Sequence, residues 1–207
     1  MVELRAEAEQ WMARAGIDQW VPLHHAQSRQ LMKNSVASGK AWVVVCESTN
    51  DVAGTATIDG PDLDWWTETD DLNNAVYVYK MITSRHHSGH DLGGAILDWV
   101  GRKARAENKA YIRLDCRRDN WGLHAYYERH QFDCVRIMDT PLRPTNMPRF
   151  TGALFQRPAE IQTSHTVVTE NMTLSTISGQ QQLKMHITKA LSHRTPISCS
   201  ELRFHQM

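Results

Sequence analysis

A mixed α/β domain, with helices interleaved among the strands of one sheet, is the fold class this sequence predicts. Short apolar or alternating runs at 41–46, 52–58, 75–83, 111–116, 132–138 and 152–156 have strand character. Between and before them lie stretches of helical spacing at 3–15, 25–37, 91–107 and 121–130. A length of 207 residues with 41% hydrophobic content suffices for one full core but is tight for two.

Each element has its own signature. Leu4, Ala8, Trp11, Met12 and Ala15 share a helical face, and Gly16 suits the stop. A second helix over 25–37 ends near Gly39. Ala41-Trp42-Val43-Val44-Val45-Cys46 is a nearly continuous apolar run, as in a buried strand. Ser48-Thr49-Asn50-Asp51 has turn chemistry, so 52–58 is its hairpin partner. The acidic stretch 59–74 holds Gly60, Pro61, Trp65 and Trp66 and predicts a loop whose tryptophans form a lid on their own domain. Residues 75–83 make the strongest strand, and a glycine-bearing loop leads from it into a helix with Leu92, Ala95, Ile96, Trp99, Val100 and Ala104 on one face. A strand at 111–116, a short helix at 121–130 and a strand at 132–138 follow. Pro141, Pro144 and Pro148 bridge to a strand at 152–156. Past Pro158 the chain turns rich in Ser, Thr, Gln and His, with only a weak helix around 180–192. This division predicts one domain at 1–158 and a poorly ordered C-terminal extension at 159–207.

Composition narrows the partners. Lys plus Arg and Asp plus Glu are both 23, and this zero formal charge argues against a nucleic-acid or anionic-membrane binder. Eleven histidines make the net charge rise below about pH 6.5. Cys46, Cys116, Cys134 and Cys199 form no CxxC pair and are expected as free thiols in a reducing compartment. No apolar run approaches the roughly 20 residues of a membrane span. The charged N-terminus has helix rather than signal-peptide character, so a cytoplasmic location is the expectation.

The chemistry concentrates after the strongest strand, in Thr83-Ser84-Arg85-His86-His87-Ser88-Gly89-His90-Asp91-Leu92-Gly93-Gly94. A strand delivers the chain into a turn, and the next helix presents free N–H groups at the positive end of its dipole. That is a cradle suited to a diphosphate. The stretch resembles the cofactor loop of the GNAT superfamily of acyl-CoA N-acetyltransferases, whose pattern is Gln/Arg-x-x-Gly-x-Gly/Ala. Gly89 matches the central glycine and Leu92-Gly93 the continuation, while His86 and Asp91 depart from the pattern. Asp91 is able to cap the helix, yet it also brings a carboxylate near the expected pyrophosphate.

A second block follows in order: Asn120, then Tyr127 and Phe132, spaced Asn-x6-Tyr-x4-Phe. It resembles the family's segment in which the Asn contacts the pantetheine arm and the Tyr protonates the departing thiolate. The resemblance spans residues 4–157 and implies a mostly antiparallel central sheet flanked by helices and splayed at the cofactor site. It also implies acetyl-CoA as co-substrate, Tyr127 as general acid, and cofactor contacts from Met81, Ile82, Thr83, His86, Ser88, Gly89, His90, Asp91, Leu92, Gly93, Gly94 and Asn120. A bulge in 80–83 would present the oxyanion-binding N–H.

The chemistry agrees on physical grounds. Amine attack on a thioester needs an oxyanion donor and a proton for the sulfur, and a phenol is a fitting donor to a thiolate. The general base stays open: Asp115 and the side chains of Tyr77 and Tyr79 lie in the right neighbourhood, and Glu68 and Asp70 are candidates to attract a cationic amine. Arg117-Arg118 are either a contact for the 3′-phosphate of CoA or a solvated charge cluster. His86, His87 and His90, even with His24-His25, do not have the carboxylate support of a metal site, so no metal is expected.

Members of that family normally open with a strand before the first helix, whereas Leu4 to Gly16 already has helix character. The usual first strand is therefore expected to be missing, and an exposed sheet edge would favour a homodimer. The function expected is acetyl transfer from acyl-CoA to a primary amine of a small molecule or peptide. Two rivals are a protein- or aminoacyl-tRNA-directed acetyltransferase and a non-catalytic acyl-CoA-binding module.

Overall fold

A computed structural model of the chain describes residues 1–17, 19–20, 25–46, 49–143, 149, 151–163, 166–170, 185–189 and 201–207. Two helices lead, α1 (Val2–Ala15) and α2 (His25–Ala37). Gly16 closes α1 in the left-handed region at φ 66°, where a side chain would be strained. Strands β1 (Ala41–Cys46) and β2 (Val52–Asp59) form the expected hairpin. After a loop with two 3-10 turns come β3 (Ala75–Thr83), α3 (Leu92–Ala106), β4 (Tyr111–Arg117), α4 (Trp121–Arg129), β5 (Asp133–Ile137) and β6 (Thr151–Pro158).

Beyond Pro158 the described residues contribute β7 (Thr166–Glu170), β8 (Met185–Lys189) and β9 (Glu201–Gln206). The weak helix expected around 180–192 is thus replaced by strand at β8, where Ile187 and Thr188 favour extended backbone. The nine strands run β5-β6-β4-β3-β2-β1-β9-β8-β7, so β9 lies antiparallel on β1, from Trp42–Gln206 to Cys46–Leu202. That is the edge the missing first strand was expected to leave open. It is covered, and the physical ground for a dimer at that edge goes with it.

The mixed, mostly antiparallel sheet expected from the sequence is present, with one parallel pairing. β3 and β4 are matched only at Ala75–Tyr111, Val76–Ile112 and Tyr77–Arg113. Past Tyr77 and Arg113 no pairing joins the two strands, and the sheet is splayed.

Alternation on the strands builds two cores. Val76, Val78, Leu114 and Cys116 pack against α3 and α4 through Leu92, Ile96, Trp99, Val100 and Tyr127. On the opposite face Ala75, Tyr77 and Leu154 are covered by Trp65 and Trp66, the expected lid, which are 0% and 2% exposed. Arg113 ties this lid down by donating to Tyr77 Oη at 2.8 Å and to the Asp70 and Asp71 carbonyls. Near the end of β3, Ile82 meets Leu4 of α1 and Met32 of α2.

Candidate functional site

Three features converge where β3 ends. The first is a bulge. Thr57 pairs with Tyr79 and Thr55 with Ile82, so Lys80 and Met81 together oppose Ala56. Lys80 takes the left-handed φ of 50°, and its ammonium donates to Ser35 Oγ at 3.0 Å, so α2 holds the bulge from behind. The extra residue shifts the alternation: Met81 packs with the α3/α4 core while Ile82 turns to α1 and α2.

The second is the loop. Thr83 ends β3 opposite Gly54, and Ser84 caps a 3-10 turn (Arg85–His87) by accepting from the His86 amide at 3.3 Å. Glu7 of α1 accepts the Arg85 amide at 3.1 Å, and the Arg85 guanidinium lies over Trp11. The His86 and His90 side chains are exposed, as are Ser88 and Gly89. Gly89 takes φ 82°, the one conformation in this turn that demands glycine. Asp91 caps α3, its carboxylate accepting from the Gly94 amide at 3.3 Å. Among the described residues no hydrogen bond takes up the N–H groups of Gly89, His90, Leu92 and Gly93. Those amides stand open at the start of α3, and the Asp91 carboxylate is spent as a cap.

The third feature is α4, which packs across the start of α3. Its N-cap is Asn120, whose Oδ1 accepts from the Leu123 amide at 3.1 Å while its Nδ2 donates to Gln19 at 2.8 Å. Both polar atoms of that side chain are therefore engaged within the protein. Tyr127 is 7% exposed and stacked among Tyr126, Phe132 and Phe155. Burial pushes its hydroxyl well above the usual phenol range, with Cys116, Tyr126 and Asp115 adding to the effect, so it stays protonated. Among the described residues nothing engages that hydroxyl through a hydrogen bond.

Tyr126 points the other way, toward the cradle. A Cβ on Gly93 would lie 2.1 Å from its hydroxyl, and one on Gly94 would lie 2.4 Å from both Asp91 and His130. The paired glycines therefore admit α4 as well as exposing backbone. Sequence reading missed this contact and missed His130; no local pattern signals either.

On the lid side of the splay lies Asp115 of β4, two residues past the last β3–β4 pair. Burial raises its carboxyl to about 6, the negative charge of Asp62 contributing, while Arg149 opposes the rise. Burial also pushes up the Tyr79 hydroxyl, which donates to the Gly60 carbonyl at 2.8 Å. Asp62 and Asp64 are paired to Arg149 at 2.5 and 2.7 Å, whereas among the described residues no ion pair engages Asp115. Of the candidates to attract an amine, Asp70 is committed to Arg136 at 2.8 Å and to the Thr67 amide, while Glu68 is exposed. Arg117 pairs with Asp119 and Arg118 with Asp139, the charge cluster of the plainer reading. Cys46, Cys116 and Cys134 are in no disulfide, and Cys199 lies outside the described residues. Among the described residues no group of histidines, cysteines and carboxylates could hold a metal, and no helix is long and apolar enough to cross a membrane.

Comparison with known proteins bears on the whole arrangement. The model of the acetyltransferase (GNAT) family matches residues 4–132. A curated relative, "uncharacterized N-acetyltransferase YesJ" of Bacillus subtilis (strain 168), is 25% identical over 134 residues, covering 63% of this chain and 73% of that protein. In fold, the chain is similar to the crystal structure of a GNAT family acetyltransferase from Listeria monocytogenes 4b F2365. The TM-score is 0.57 at 21% identity, covering 75% of this chain and 86% of that one. Because the family model spans more than half of the sequence, the chain belongs to the GNAT family of N-acetyltransferases.

Proposed function

We propose that this protein transfers an acetyl group from acetyl-CoA to a primary amine of a small molecule or peptide. One observation carries the reading. The free amides of Gly89, His90, Leu92 and Gly93 open beside a splay that begins where β3 and β4 part. A diphosphate on those amides would run its pantetheine arm along the unpaired stretch of β3, adding main-chain hydrogen bonds like an extra strand.

When bound, acetyl-CoA supplies an activated carbonyl and a thiolate leaving group. The residues around the splay do the rest. Asp115 takes a proton from the incoming ammonium, so that the neutral nitrogen forms the new C–N bond. An N–H of the bulge at 80–82 donates to the carbonyl oxygen as charge builds there. Tyr127 gives its proton to sulfur as the C–S bond breaks, and the second proton that the nitrogen sheds on becoming an amide restores the phenol. Holding the reactants in line is the largest of these contributions.

Release of free thiol from acetyl-CoA in the presence of a panel of amines tests the activity directly. Tyr127→Phe should lower kcat by ~100-fold, the usual scale for losing a general acid, with affinity for acetyl-CoA retained. Unchanged turnover in that variant would remove Tyr127 from the mechanism. Binding of acetyl-CoA without thiol release for any amine would favour a non-catalytic binding module.

A further inference from the structure

The departure at Asp91 has a partner that local sequence does not reveal. His130, at the C-terminal end of α4, is 6% exposed, and both of its ring nitrogens are engaged. Nε2 lies 3.3 Å from Asp91 Oδ1, and Nδ1 lies 2.8 Å from Thr163 Oγ1. The Asp91 carboxylate thus lies within ion-pair distance of Nε2, and an ionised carboxylate offers that nitrogen acceptors only. Thr163 is fixed in turn: its amide donates to the Asp98 carboxylate at 3.0 Å, and Asp98 pairs at 3.1 Å with the fully buried Arg157. Arg157 donates to the carbonyls of His130 at 3.1 Å and Leu97 at 3.0 Å, so backbone and ring of His130 are both located. The Tyr126 ring covers the imidazole at 4.5 Å.

We propose that His130 is a positioning residue for the cofactor, holding the Asp91 carboxylate on the α4 side of the α3 N-terminus, off the amides that receive the diphosphate. The inference rests on the acetyl-CoA reading of the cradle. A carboxylate released from His130 is free to turn toward Leu92 and Gly93, where it would occupy their donors and repel an incoming anion. Held by His130, it satisfies Gly94 and leaves the other amides free. The Cβ positions of Gly94 and Gly93, filled by Asp91 with His130 and by Tyr126, show how closely α4 is fitted to that turn.

Calorimetric titration of acetyl-CoA into four full-length proteins tests this. Removing the ring in His130→Ala should weaken binding ~10-fold, the scale of one charge at a helix terminus. His130→Gln retains a donor near Nε2 and should bind at least threefold more tightly than His130→Ala. Adding Asp91→Asn to His130→Ala should recover most of the lost affinity, because the released side chain no longer carries charge. Thermal melts confirm that each variant is folded; if His130→Ala is not, His130→Leu, which fills the space without a donor, gives the same comparison with and without Asp91→Asn. Equal affinity in wild type and a folded His130→Ala overturns the proposal alone. So does a loss that Asp91→Asn fails to relieve, since that marks simple packing. Absence of binding to the wild type overturns the cofactor reading, and this inference with it.

Discussion

Asp115 separates cost from use at the level of a single side chain. Its carboxyl is raised to about 6 chiefly by burial, so the ionised form is disfavoured in the folded protein. Relative to an unfolded carboxyl near 3.9, this penalty on stability sets in as pH rises from about 4 to about 6 and is fully present above that. A base needs the ionised form, so kcat/KM should fall as pH drops through about 6. Asp115→Asn should abolish that limb and lower the rate at pH 7.5 by ~100-fold, while the melting temperature stays level or rises. A pH profile and a thermal melt on the same two proteins check both halves; an acid limb persisting in the variant assigns the titration elsewhere. Tyr127 shows the opposite economy. Burial raises its hydroxyl, so the folded protein holds the neutral phenol, the form the proposed acid needs.

Helices and strands explain how much could be read in advance. Periods of two and of 3.6 residues located every α-helix and strand through β6 to within two residues at each end, because each buries one face. The Lys80 bulge was expected only through resemblance, since Lys80 itself has no property that favours φ 50°. The role of Asn120 was also foreshortened. It fits a motif position, yet its side chain caps α4 and reaches Gln19. Asn120→Ala should therefore cost ~1 kcal/mol of stability as a lost cap, and Asn120→Ser should restore most of it. Denaturant titration of both decides; no change in either would mean the cap contributes nothing. His130 was illegible for another reason: its partners Asp91 and Thr163 lie 39 and 33 positions away, beyond any local pattern.

For the molecule as a whole, the region past Pro158 was the hardest to foresee. Ser, Thr and Gln give weak periodicity, and strand character there comes from pairing with neighbours more than from composition. β9 fills the edge of β1, its neighbour in the sheet order. Removing residues 201–207 should bare the β1 backbone and drive self-association. Light scattering and a thermal melt should then show a larger species with a lower midpoint than the full chain. A truncated protein that stays monomeric and equally stable would make β9 dispensable.

The Gln206 side chain reaches the carbonyl of Gly39, 167 positions earlier in the chain. A nascent polypeptide therefore carries β1 out of the ribosome long before its β9 neighbour has been synthesised. At the usual 5–20 residues per second, that interval is roughly ten to thirty seconds. Throughout it, the hydrophobic ribbon Trp42-Val43-Val44 has one flank with no native mate, a window in which chaperones or stray strands compete for it.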